Sequence, residues 1–397
     1  MRTDNISQIR GDQVWLSEDQ CDLDDCKALV ERTTDITEYR LASEVVSNVL
    51  VYDGAAVRVA ASSPESRKAL MAEWVEAMMN GPGILVIRAA FANLAPLEAA
   101  TEQFWAMIEE QRASNVGGGD HFAKPGANDR VWNALEKLCL RDPETFVAYY
   151  GNEVIALISE AWLGPAYQIT SQLNVVNPGG AAQSAHRDYH LGFQTPESGS
   201  RYPAHVHRLS PVLTLQGAVA HCDMPIETGP TLYLPYSQSY LLGYLATSRP
   251  EFKEYFERHH VQLPLSKGDA VFFNPAVFHA AGTNRSETVR RMANLLQISS
   301  ALGRAMESVD RVRMSAALYP TLRSMLTSGR LTPEQGANAV SACAEGYSFP
   351  TNLDRDPPIG GLAPQTQQSL MTQALAEDWA PDRFNRALEA WVGRRLT

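Results

Sequence analysis

Apolar positions recur along this chain with two different periods. From Ser63 to Asn80 the period is helical: Ser63 suits an N-cap, Pro64 suits the first turn, and "ESRKALMAEWVEAMM" runs on to Asn80 and Gly81. "GILVIRAAF" then reads as a short buried strand, followed by helices predicted over 97–111 and 143–162 with the loop "ASNVGGGDHFAKPGANDR" between them. Residues 1–61 are less regular, with a helix predicted near 16–33 and a strand near 46–52.

From Tyr167 the period shortens. "YQITSQLNVV", "SAHRDYHLGF", "VLTLQGAVAHCD", "TLYLPYS", "HHVQLPL", "DAVFFNPAVFHA" and "RRMANLLQIS" are short strand-like runs separated by Gly, Pro and Asn clusters. Such spacing favours a barrel or double-sheet jelly roll over a parallel sheet, and no GxGxxG or Walker loop argues otherwise. After Ser300 helical spacing returns, ending in the amphipathic "PDRFNRALEAWVGRRL". The expected fold class is mainly β with helical elaborations, a jelly-roll core flanked by α-helices. The expected organisation is an N-terminal extension over 1–61, a core over 62–300, and a C-terminal helical extension over 301–397 packed on that core. The last helices suit a cover over the barrel or a homodimer interface.

Charge narrows the partners. Lys and Arg number 34 against 45 Asp and Glu, a net charge of −11, and no long basic run occurs. Nucleic acid and anionic membrane surfaces both need a positive footprint and are not expected partners, whereas a small molecule is. The five cysteines are scattered without a CxxC pair, so neither a disulfide framework nor a zinc knuckle is indicated. The N-terminal stretch lacks the apolar core of a signal peptide and no apolar run approaches a membrane span, which reads as a cytoplasmic protein.

Candidate chemistry concentrates in "SAHRDYHLGF". His186, Asp188 and His190 stand at alternate positions, so a β-strand would turn all three to one face. A metal site, a hydrogen-bonded core cluster and a solvated strand face all suit that spacing. A third metal ligand would come from His279, at the end of "KGDAVFFNPAVFHAAG". Two histidines and a carboxylate form the facial triad of non-haem Fe(II) oxygenases. His221 and Asp223 repeat the spacing without a distal partner, and His205 and His207 read as an exposed face. Arg290 would share a strand face with Met292, Leu296 and Ile298, the set that looks more like a barrel interior, where a guanidinium grips a carboxylate bidentately. Pairing of Arg290 with a protein carboxylate is the alternative. In "YQITSQLNVV", Thr170, Gln172 and Asn174 form a polar row that faces either a lumen with a ligand or solvent.

"HRDYH", "ETGPTLYLPYSQS" and "GDAVFFNPAVFHAAGTNRSETVRR" resemble the phytanoyl-CoA dioxygenase family of Fe(II)- and 2-oxoglutarate-dependent oxygenases, over roughly Gly83 to Ser300. The resemblance implies a double-stranded β-helix. It implies Fe(II) held by His186, Asp188 and His279, 2-oxoglutarate with its distal carboxylate on Arg290, contact from Asn174, and O2 as oxidant. The family couples oxidative decarboxylation of 2-oxoglutarate, to succinate and CO2, with substrate oxidation, usually hydroxylation. Asp188 is present where related halogenases lack the carboxylate, so halogenation is disfavoured.

Departures from the pattern are specific. Ala281 stands where Ser or Thr is frequent, so a hydrogen bond to the cosubstrate is either missing or supplied by another group such as Thr170, on the polar row that also carries Gln172. Gln238 stands where the family's "PGSH" turn has His. His190, Lys124 in the glycine-rich loop and Gln238 are candidate substrate contacts. A cupin-like isomerase or hydrolase, and a non-catalytic jelly-roll binding module, are the competing classes.

Overall fold

The computed structural model describes residues 11, 13–114 and 126–397. The chain divides into two compact units, one comprising Met1–Ala92, Asn115–Arg130 and Asn174–Leu296, the other Asn93–Ser114, Val131–Leu173 and Gln297–Thr397.

The strands are β1 (Glu44–Val46), β2 (Val49–Asp53), β3 (Ile84–Arg88), β4 (Asn128–Val131), β5 (Gln168–Val176), β6 (Thr214–Ala220), β7 (Leu232–Leu234), β8 (Val261–Gln262), β9 (Ala270–Phe273), β10 (Phe278–Ala280) and β11 (Arg291–Ser299). Eight form a mixed sheet in the order β1-β2-β3-β9-β6-β11-β5-β4, and three form a second sheet, β10-β7-β8. β1 and β2 are a hairpin with Val46 opposite Val49. Ser47 and Asn48 between them both take positive φ, as a two-residue turn matched to strand twist requires. β2 runs parallel to β3, and β9 lies antiparallel between β3 and β6.

In the first unit the two sheets enclose an apolar interior. Val49, Val51, Ile84, Val86, Ala218, Ala220, Val271 and Phe273 alternate inward from the larger sheet and pack with Tyr233, Leu263 and Leu265 on the side of the smaller one. Fully burying each larger aliphatic or aromatic side chain contributes about 1.5–3 kcal/mol, and a one-residue slip would turn a whole strand's set outward. The register is therefore tightly specified. Opposed sheets of this kind fit a jelly-roll core.

The second unit is dominated by helices, including Ala95–Ser114, Glu153–Leu163, Arg311–Thr327, Pro333–Cys343 and Pro381–Arg395. The single helix expected over 143–162 is two, Pro143–Tyr150 and Glu153–Leu163. Asn152 starts the second by accepting hydrogen bonds from the amides of Val154 and Ile155. The final helix buries Phe384, Leu388 and Trp391, and Phe384 stacks on Tyr319 at 4.1 Å. Its apolar face is thus covered within this unit. Helix accounts for 48% and strand for 16% of the described residues, so helix rather than strand predominates. The helix expected near 16–33 is the shorter Leu23–Val30, and helices at Gly54–Ala61, Ala134–Arg141, Pro250–His259 and Gln367–Ala376 add to those expected. No helix among the described residues is long and apolar enough to cross a membrane.

Candidate metal centre

The segment "SAHRDYHLGF" is not a strand. His186 makes one isolated antiparallel bridge to His279, exchanging backbone hydrogen bonds of 3.0 and 3.1 Å. The Asp188 amide donates to the Pro275 carbonyl at 3.2 Å. Tyr189 and His190 then take positive φ and the chain enters a short 3-10 helix, His190–Phe193. Alternation therefore ends at Asp188, and His190 leaves the face it was expected to share. It is half-buried, with its Nδ1 3.4 Å from the Ser210 hydroxyl.

The bridge brings His186, Asp188 and His279 together. Their potential ligand atoms lie within 4.8 Å of one another. Asp188 Oδ1 is 3.7 Å from His186 Nε2, and Oδ2 is 3.5 Å from His279 Nε2. His186 Nδ1 lies 2.9 Å from the Ser184 carbonyl and His279 Nδ1 2.9 Å from the Val277 carbonyl. A carbonyl only accepts, so each Nδ1 carries the proton and each Nε2 presents a lone pair toward Asp188. Side-chain exposure falls from 34% at His186 through 19% at Asp188 to 6% at His279, so the cluster opens on the His186 side.

Burial by itself would raise the Asp188 carboxyl. A hydrogen bond from His279 and the positive charge of both imidazoles when they are protonated, together with a hydrogen bond from Gln216, more than offset that and hold it below the ordinary carboxylate range. Gln216 Nε2 donates to Asp188 Oδ2 from β6. Sequence reasoning missed this residue, although "VLTLQGAVA" carries it as the lone long polar side chain in an otherwise apolar strand. Phe273 stands edge-on to His279 at 4.8 Å, so the centre borders the apolar interior.

At the start of β11 it is Arg291, not Arg290, that is buried. Arg290 is exposed and binds Asn177 at 3.2 Å and Asp129 at 3.4 Å. Arg291 is 7% exposed. It shares a strand face with Ala293 and Leu295, which pack on the cluster containing Tyr233 and Phe273. The expectation failed because Met292, Asn294 and Leu296, on the opposite face, are buried as well. A strand buried on both faces does not reveal by hydrophobicity which one lines the interior. Desolvation pushes the Arg291 pKa down to about 10, eased by Cys222 and Tyr233. Among the described residues no carboxylate pairs with it.

The other candidates are dispersed. Asn174 is buried, with its Oδ1 lacking a hydrogen-bond partner among the described residues. The Thr170 hydroxyl donates to the Gln297 carbonyl at 2.8 Å, and Gln172 Nε2 lies 3.4 Å from the Met306 sulfur. Gln238 Nε2 donates to the Gly81 carbonyl, tying down the turn before β3. Lys124 lies outside the described residues. His205 and His207 sit on a helix, Ala204–Leu209, where His207 is buried. His221 is buried while Asp223 is exposed, so they form no ligand pair.

Two neutral imidazoles and an ionised carboxylate, facing one point at these separations, fit a divalent ion with bonds of about 2.0–2.2 Å on one side of its coordination sphere. A buried guanidinium in the adjoining interior fits an anionic ligand.

Among solved structures, the chain is similar to the non-haem α-ketoglutarate-dependent epimerase SnoN from nogalamycin biosynthesis: 18% identity, 60% of this chain, 82% of that one, TM-score 0.40. SnoN in complex with Fe3+, α-ketoglutarate and nogalamycin RO matches at 18% identity over 60% of this chain and 85% of that one, TM-score 0.39. The carbocyclase SnoK from the same biosynthesis matches at 17% identity over 69% of this chain and 93% of that one, TM-score 0.40. No curated protein sequence matches the chain. The profile of the family described as phytanoyl-CoA dioxygenase (PhyH) matches residues 64–292, more than half of the sequence and the whole of the triad. The chain belongs to the phytanoyl-CoA dioxygenase (PhyH) family, whose enzymes depend on Fe(II), 2-oxoglutarate and O2.

Proposed function

We propose that this protein is a 2-oxoglutarate-dependent hydroxylase of a small molecule, with His186, Asp188 and His279 as the iron ligands and Arg291, rather than Arg290, as the anchor for the cosubstrate's distal carboxylate. The observation that carries the reading is the convergence of two Nε2 lone pairs and one carboxylate beside an apolar interior that also holds a buried guanidinium with no carboxylate partner among the described residues. Iron held by these three residues would supply the oxidising chemistry, with O2 as oxidant and 2-oxoglutarate converted to succinate and CO2.

The chain's own residues bind and orient. The Ser184 and Val277 carbonyls hold the imidazoles with Nε2 forward, and Gln216 fixes one oxygen of Asp188. Arg291 offers a fork of donors where desolvation strengthens its attraction for a carboxylate. Val271, Phe273 and Tyr233 exclude water from the inner wall. Access is from the more exposed His186 side.

Hydroxylation is tested by incubating the iron-loaded protein with 2-oxoglutarate, a small-molecule panel and 18O2. The expected result is succinate release matched to a product carrying one 18O atom. Substrate conversion with succinate release but no label would refute hydroxylation in favour of oxidation without oxygen insertion.

A further inference from the structure

Two of the three ligands ride on a segment with one bridge and no ladder, so regular sheet pairing does not fix their position. The residue between them is better anchored than either. Arg187 is 3% exposed, and its Nη2 donates to the carbonyls of Ser237 and Tyr240, the latter at 2.8 Å. Its Cζ lies 4.9 Å from the ring centres of both Tyr244 and Phe278. A Cβ on Gly243 would fall 2.0 Å from that Cζ, so the absence of a side chain at 243 makes room for the guanidinium. No carboxylate neutralises it among the described residues.

Ser237 links this seat to the third ligand. Its hydroxyl accepts from the Phe278 amide at 2.7 Å and donates to the Leu234 carbonyl at 2.6 Å. Phe278 directly precedes His279, and Arg187 directly adjoins both His186 and Asp188. Immediate chain neighbours of all three ligands therefore meet at one serine. The surroundings are otherwise apolar: Phe278, Tyr240, Leu245 and Ala246 belong to a single buried cluster. An apolar side chain would fill such a site at lower desolvation cost, which sets this arginine apart from ordinary packing.

We propose that Arg187, seated on Ser237, Tyr240, Tyr244 and Phe278 in the space left by Gly243, is a positioning residue that sets His186 and Asp188 against His279 and thereby governs the affinity of the metal centre. The inference rests on reading the triad as a metal site. Lysine does not replace it, because an ammonium lacks the planar guanidinium that reaches two carbonyls while facing the rings of Tyr244 and Phe278.

The test is a Co(II) titration of the metal-free, full-length protein, followed by ligand-field absorption and chelator competition, for the wild type, Arg187→Lys, Arg187→Met and Gly243→Ala. Urea unfolding of the metal-free forms is measured alongside. The expected result is a Kd for Co(II) weakened at least about 10-fold in each variant that folds, with Arg187→Met no less stable than the wild type without metal. Tight wild-type binding with every variant within twofold, and stability lowered instead, would overturn the proposal and leave Arg187 as packing. A wild type that binds no Co(II) would overturn the metal reading itself.

Discussion

Arg291→Met separates the two arginines and has opposite consequences for binding and folding. Burial pushes this guanidinium's pKa down to about 10, against an exposed arginine's much higher value. That displacement corresponds to roughly 3 kcal/mol of penalty on the charged form. The sign follows from linkage: a base with a depressed folded pKa destabilises the fold at every pH below that value, and is relieved only as pH rises toward the unfolded value. Methionine removes the charge and keeps most of the volume, so the metal-free variant should be as stable as the wild type or more stable, by about 1–3 kcal/mol in urea unfolding at neutral pH. Binding should move the other way. Removing one partner of a buried charge pair costs about 3–5 kcal/mol, so the Kd for 2-oxoglutarate should rise at least about 100-fold. Arg290→Met serves as the control. Arg290 is exposed and its pairing with Asp129 contributes at most about 1 kcal/mol, so 2-oxoglutarate affinity should stay within about threefold. The assay is calorimetric titration of 2-oxoglutarate into the anaerobic metal-loaded protein. A Kd unchanged by Arg291→Met but raised by Arg290→Met would refute the assignment and restore the one that the sequence spacing favoured.

Gln216→Leu removes the amide that holds Asp188 Oδ2 and should weaken Co(II) binding about 10- to 100-fold, measured by chelator competition; affinity within twofold would show the amide to be dispensable. Thr170→Val should leave 2-oxoglutarate affinity within twofold and lower stability by about 1 kcal/mol, because the hydroxyl is committed to the Gln297 carbonyl; a large affinity loss would mean that it turns to the cosubstrate. His221 is buried with its pKa pushed down to about 3, chiefly by desolvation and secondarily by Lys267. The unfolded chain takes up a proton there near pH 6.5 while the fold resists, so stability should fall below that pH by about 2 kcal/mol between pH 6.5 and 5. His221→Phe should flatten that part of the urea-midpoint profile, and an unchanged slope would remove His221 as its source.

What the sequence could reveal depended on whether a residue's neighbours constrain it locally. His279 in β10 is readable as a candidate ligand because "DAVFFNPAVFHA" breaks at Asn274–Pro275 and resumes as a second apolar run that ends near it. His186 and Asp188 were identified by a spacing whose assumed cause was wrong: they meet through one bridge, not through a strand face, and the left-handed turn at Tyr189 and His190 carries no glycine to announce it. Arg291 was hidden because β11 is buried on both sides. The continuous apolar spacing over 143–162 conceals the break at Gly151, after which Asn152 caps a second helix. The mixed sheet depended on long-range partners such as the parallel pairing of β2 with β3, which no local pattern encodes.

A metal centre chelated by 2-oxoglutarate has a direct spectroscopic signature. Metal-free protein should be mixed anaerobically with Fe(II) and then with 2-oxoglutarate, following the visible charge-transfer absorption of the chelate. A band is expected in the wild type and in Arg290→Met, none in Asp188→Ala, and in Arg291→Met a band only at far higher cosubstrate concentration. Fe(II) binding with no response to 2-oxoglutarate at any concentration would contradict a centre chelated by 2-oxoglutarate.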